Sequence, residues 1–105
     1  MAAKTTKGRR GNSSSPNVKD LKDLSQQGRA AEALLENKTL NKALNEMKQN
    51  AHLHIEQSEP QENEKRENLY RFIKTISAFE QQLKIYFNKG ASASKKLEVI
   101  INGGN

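Results

Sequence analysis

Between Glu67 and Lys89 the chain sets Leu69, Phe72, Ile76, Phe79, Leu83 and Tyr86 at alternating steps of three and four residues. An α-helix turns once every 3.6 residues, so this rhythm lays all six along one stripe, which Ile73 and Phe87 widen. The stretch holds all three Phe and both Tyr of the protein. Whatever core exists is therefore expected to be built against this helix, and the expected fold class is all-α.

Covering such a stripe is the difficulty, because the chain has little else that is apolar. Of its 105 residues, 33% are hydrophobic and 5% aromatic, and mean hydropathy is -0.94. That is enough for one domain with a small core. Domains this thin are marginal alone and usually need disulfides, a metal or self-association. Cysteine is absent, which removes disulfides and thiolate metal sites and leaves association as the expected remedy.

Upstream, residues 1–16 (MAAKTTKGRRGNSSSP) offer almost nothing to bury and read as a disordered basic arm. Asn17, with Asp20 three residues on, is placed to cap a short helix whose apolar edge is Val18, Leu21 and Leu24. Gly28 reads as a break before the Ala/Leu-rich segment Arg29 to Glu36. Asn37 or Thr39 can cap a further helix from about Leu40 to Gln57, with Leu40, Leu44, Met47 and Ala51 in a 4-3-4 rhythm that continues to His54 and Ile55. Ser58 to Pro60 then marks a turn, with Ser58 as the expected cap of the main helix, Pro60 in its first turn and Glu59, Glu62, Glu64 and Glu67 near its positive end.

So short a connection favours an antiparallel helical hairpin, preceded by one or more short helices. Gly90 reads as the stop of the main helix. Beyond it, ASASKK reads as a linker and Leu97 to Ile101 (LEVII) as a compact apolar tail, suited to a strand or a docking segment, with helix also open at this length. The expected organisation is thus an arm over 1–16, a helical domain over 17–90, and a linker with an apolar C-terminal tail over 91–105.

Charge points to a partner class. The net charge is +6, and residues 1–24 carry six Lys/Arg against two Asp, whereas residues 56–67 carry five Glu against two basic residues. Lys4, Lys7, Arg9 and Arg10 are candidate phosphate-binding residues, since each cation near a nucleic acid can displace a condensed counterion. Without aromatics in the arm, DNA binding should tolerate any sequence and weaken steeply with salt. A purely solubilising arm is the competing reading.

The seam itself (Leu69, Phe72, Ile73, Ile76, Phe79, Leu83, Tyr86, Phe87) needs cover from the upstream Ala/Leu helix, from another copy or from a partner, and is the candidate surface for a homo-oligomer or a larger partner protein. Leu97, Val99, Ile100 and Ile101 form a second candidate contact, because an exposed apolar segment can dock on another chain; folding back onto the hairpin is the equal alternative. His52 and His54, two apart, point to different sides of a helix and do not form a metal site there. The acids from Glu59 to Glu67 have no nucleophile, basic clamp or glycine-rich loop beside them, so no catalytic residue, metal, cofactor or small-molecule substrate is expected. No apolar run approaches the roughly 18 residues of a membrane span and the first residues contain no apolar h-region, so a soluble protein, neither secreted nor transmembrane, is expected.

From Arg29 to Leu97 the sequence resembles a group of small proteins of tailed bacteriophages. The resemblance is carried by RAAEALLEN (Arg29 to Asn37), by Leu40 with Ala43 and Leu44, and by a Pro-type turn followed by acids in SEPQENEKRENLY. Arg66, Glu67, Leu69, Tyr70, Leu83 and Gly90 complete it, and an aromatic common before the turn is replaced by Ile55. What the resemblance implies is a helical, non-enzymatic accessory protein of packaging or virion genes, found in the host cytoplasm or the virion. A small terminase-like packaging subunit is the nearest alternative, in which Asn17 to Glu36 would serve as the DNA-reading element. A small enzyme is disfavoured.

Overall fold

The computed structural model describes residues 17–103, which form three helices: α1 (Val18–Leu35), α2 (Lys38–Gln57) and α3 (Asn63–Asn102). The all-α expectation is met. Forty residues at 1.5 Å each make α3 about 60 Å long, and the molecule measures 65 × 40 × 15 Å. It is one helix layer thick. Both α1 and α2 run antiparallel to α3, since Ser25 meets Ser94, Gly28 meets Gly90, and Lys48 meets Glu80.

Two asparagines punctuate the chain as their position suggested. The Asn17 side chain accepts from the Asp20 backbone N–H at 2.8 Å, and that of Asn37 accepts from Leu40 N–H at 2.8 Å. Each satisfies a donor that the first helical turn leaves open. The second turn is built differently from the expectation. Ser58 closes α2, its hydroxyl donating to the Ile55 carbonyl at 2.7 Å, and Pro60 lies in the turn rather than in α3. Glu62 precedes α3 and accepts from the Glu59 backbone N–H at 2.7 Å. Arg66 staples the bend, donating to the Glu59 carbonyl at 2.5 Å, the Pro60 carbonyl at 2.9 Å and the Ser58 hydroxyl at 3.1 Å, and also to the Asn63 side chain.

Both glycines expected to end helices lie inside them. Gly28 sits within α1 and Gly90 within α3, so the chain from Gly90 to Asn102 continues the helix. The linker and the strand-like reading of LEVII are therefore corrected, and the helical region extends past residue 90. The reason is visible in the packing. A Cβ built on Gly28 would stand 2.7 Å from the Gly90 Cα, and one on Gly90 would stand 2.5 Å from the Gly28 Cα. Each glycine costs its helix about 1 kcal/mol relative to alanine. Together they let the two backbones touch, and the burial this brings to Leu21, Ser25, Ala31 and Ala93 offsets that cost.

Around this contact Ser25 and Ser94 share a hydroxyl hydrogen bond of 2.6 Å. Arg29 donates to the Ser25 oxygen at 2.8 Å. The buried core is otherwise short: Leu21, Ala31, Leu44, Ala51, Ile76, Leu83 and Ala93. Three of these are alanines, in keeping with the thin composition.

Candidate interaction surface

The inward line of α3 runs through Leu69, Ile73, Ile76, Glu80, Leu83, Phe87, Gly90, Ser94 and Leu97, all buried or half-buried. Their spacing alternates four and three along nine positions, the repeat that keeps a helix facing its neighbour. On α2 the matching line is Asn41, Leu44, Lys48, Ala51, Ile55 and Ser58. At its middle Lys48 and Glu80 form a half-buried ion pair of 3.1 Å, each side chain 26% exposed. Six of the eight seam residues expected from the sequence are at least half-buried, but Phe72 and Phe79 are 41% and 45% exposed. The seam is turned by one position, because a charged pair rather than two aromatics occupies its centre.

Two exposed aromatics, Phe72 and Phe79, share one side of the hairpin, while Tyr70, 51% exposed, follows Leu69 and lies on the other. Phe79 precedes Glu80 and Met47 precedes Lys48, and the helices run in opposite directions. Both therefore lie on the same side of the Lys48–Glu80 bond. The line extends on α2 through Leu40, Ala43, Met47, Asn50, His54 and Gln57. On α3 it extends through Asn68, Phe72, Thr75, Phe79, Gln82 and Tyr86. None of these twelve is Asp, Glu, Lys or Arg, whereas at 29% charged residues overall roughly three or four would be expected by composition. Lys42, Glu56, Glu67, Lys74 and Lys84 fall on the opposite side. The hairpin thus has one uncharged side and one charged side.

A second apolar exposure lies at the end of α3. Val99 and Ile101 are 67% and 73% exposed, Ile100 is also exposed, and only Leu97 of the expected docking tail is half-buried. This end lies level with the start of α1, since Ser25 opposite Ser94 and Gly28 opposite Gly90 place Val18 near residue 100. Lys4, Lys7, Arg9 and Arg10 lie outside the described residues. Removing their four charges from the net +6 leaves +2 for residues 17–105.

Little in the described part resembles a reaction centre. His52 and His54 are exposed, and the His54 Nδ1 contacts the Asn50 carbonyl of its own helix at 2.8 Å. Among the described residues no group of three His, Cys, Asp or Glu could hold a metal, and no helix is long and apolar enough to cross a membrane. Glu62 faces Lys65 at 3.8 Å and Glu67 faces Arg71 at 3.5 Å, which are ordinary helix-surface pairs. Two shallow clefts flank the α1–α3 contact, of about 120 and 170 Å³, below the size that encloses a small-molecule ligand.

Compared with protein-family models, curated proteins and solved structures, the chain matches none.

Proposed function

We propose that this protein is a non-enzymatic assembly or adaptor protein of phage type, which docks through the uncharged side of its α2–α3 hairpin while its basic arm engages DNA or another polyanion. The observation that carries this reading is the row of exposed large apolar residues on a side without charge, Met47, Phe72 and Phe79, in a chain otherwise rich in charge. Exposed apolar patches of this kind mark interaction sites in soluble proteins. The phage assignment rests on the resemblance of Arg29 to Leu97, and the arm's role on Lys4, Lys7, Arg9 and Arg10. Full-length protein should shift duplex DNA in gels at low salt, and deletion of residues 1–16 should abolish the shift. Indifference to DNA at low salt would reduce the arm to a solubilising segment.

A DNA-packaging adaptor is the second reading, favoured by the bare apolar tip of Val99 and Ile101, which suits contact with a larger motor subunit. In that reading DNA contact falls to the arm. Asn17 to Glu36 is one uninterrupted helix with its cap, packed along α3, and contains no helix-turn-helix.

A further inference from the structure

We infer that the occupant of the uncharged hairpin side is a second copy of this chain, laid face to face so that the two α2–α3 layers form a four-helix bundle. The inference rests on the reading that this side is a docking surface, and names its partner.

The single-layer shape, 15 Å thick, leaves Phe72 and Phe79 with no second layer of helices, and stable helical architectures bury such stripes between packed helices. Residues 1–16 cannot supply that cover, since their only large apolar side chain is Met1. A polyanion would select cations, and this side has none between Lys65 and Lys89. A second copy meets every requirement. Two molecules of net charge +6 repel wherever like charges meet, yet this patch can face itself without placing one charge against another, as a twofold interface demands.

The patch is also continuous with an apolar contact the molecule already makes. The line Tyr86 to Ala93 on α3 runs beside α1, where Leu24 and Ala93 line one cleft and the Tyr86 carbonyl lies against Gly28, and Ala93 is only 2% exposed. Continued towards the turn, the same line becomes Phe79 and Phe72, beyond the end of α1 at Leu35. A second molecule would extend the cover that α1 begins. From Leu40 to Gln57 the side runs about 27 Å, and two helices 8–10 Å apart make it about 18 Å wide. That is about 500 Å² per copy and about 1,000 Å² in all, at the lower end of specific interfaces, where weak and transient pairings lie. The copies run in reversed directions, which keeps each α1 clear of its partner's hairpin.

Sedimentation equilibrium from about 1 to 100 μM, on full-length protein at low and high salt, tests this together with binding of a fluorescent apolar dye. The wild type should dimerise, more tightly at high salt because its net charge is then screened, the reverse of the arm's DNA binding. Phe79→Glu should weaken dimerisation more than tenfold while leaving the helical circular dichroism intact, since Phe79 is already 45% exposed within one copy. Lys74→Glu, on the charged side, should leave it unchanged. A helical monomer at 100 μM would overturn the inference. If that monomer binds the dye and Phe79→Glu abolishes binding, the side is open for a different protein and the docking reading survives. If it binds no dye, both fall. A dimer indifferent to Phe79→Glu would place the interface elsewhere and also overturn the inference.

Discussion

Replacing Gly28 by alanine sets two effects of opposite sign against each other, and the geometry decides between them. In a helix interior alanine is favoured over glycine by about 1 kcal/mol, so helix propensity alone predicts stabilisation. The new Cβ, however, would lie 2.7 Å from the Gly90 Cα and 3.2 Å from the Tyr86 carbonyl oxygen. Carbon atoms rest at about 3.5–4.0 Å, so α1 and α3 must part by about 1 Å. No rotamer can absorb this, because the nearest atoms are all backbone. Overpacking of this kind costs about 1–3 kcal/mol, and parting the helices weakens contacts at Leu21, Ser25, Ala31 and Ala93 together. Taking the upper part of that range and subtracting the propensity gain leaves a net loss of about 2 kcal/mol.

For a domain of this size each kcal/mol moves Tm by about 4–8 °C. Thermal melts followed by circular dichroism, at fixed protein concentration because association adds to apparent stability, should therefore show a fall of roughly 8–16 °C. Ser92→Ala, at an exposed position of α3, should change Tm little or raise it slightly. Gly90→Ala should fall at least as far as Gly28→Ala, since its Cβ would also meet the Leu24 carbonyl oxygen at 2.9 Å. The double variant should lose less than the sum, because the first alanine has already moved the helices apart. A rise in Tm for Gly28→Ala would refute the close approach of α1 and α3 and with it the explanation of why both helices continue through glycine.

Other expectations follow from the caps, the bend and the buried pair. Asn37→Ala should cost about 1 kcal/mol in urea unfolding, the usual worth of a lost N-cap, with Asn17→Ala similar and confined to the start of α1 in hydrogen exchange. Arg66→Ala removes donors from two backbone carbonyls in the bend and should speed proteolytic nicking between Ser58 and Asn63; unchanged cleavage would mean that the staple is dispensable. Replacing Lys48 and Glu80 together by leucine should be neutral or stabilising by about 1 kcal/mol, while Glu80→Leu alone, which strands a half-buried cation, should destabilise. Truncation after Glu98 should leave helix content nearly intact, since it removes exposed Val99, Ile100 and Ile101; global loss of structure would mean that these side chains belong to the core.

Local signals in the sequence fared well where the physics is local. Asn17 and Asn37 cap because a short polar side chain reaches an open backbone donor three residues on, whatever lies around it. The helical rhythm of Leu69 to Tyr86 was legible for the same reason. What failed depends on contacts distant in sequence. Gly28 and Gly90 resemble breaks or stops until each is seen to meet the other, 62 positions along the chain. Beyond Gly90 the sequence reads as linker and apolar tail only if that glycine ends the helix, which it does not. Apolar residues alone set a seam through Phe72 and Phe79, whereas the core-facing line of α3 passes through Glu80. One signal could have corrected it: Lys48 and Glu80 fall in step with the apolar residues of their own helices and carry opposite charges.

The reversed course of α1 along α3 gives the rod unlike poles. At one, the chain folds back through a bend clamped by a single guanidinium. At the other, about 50 Å away by helix rise, residue 17, where the cation-rich segment joins, stands beside the greasy end of α3. A strand of phosphates held by the first 16 residues would be brought to the same pole that offers Val99 and Ile101 to a protein, while Met47 and Phe79, midway down the shaft, would keep their own attachment clear of both.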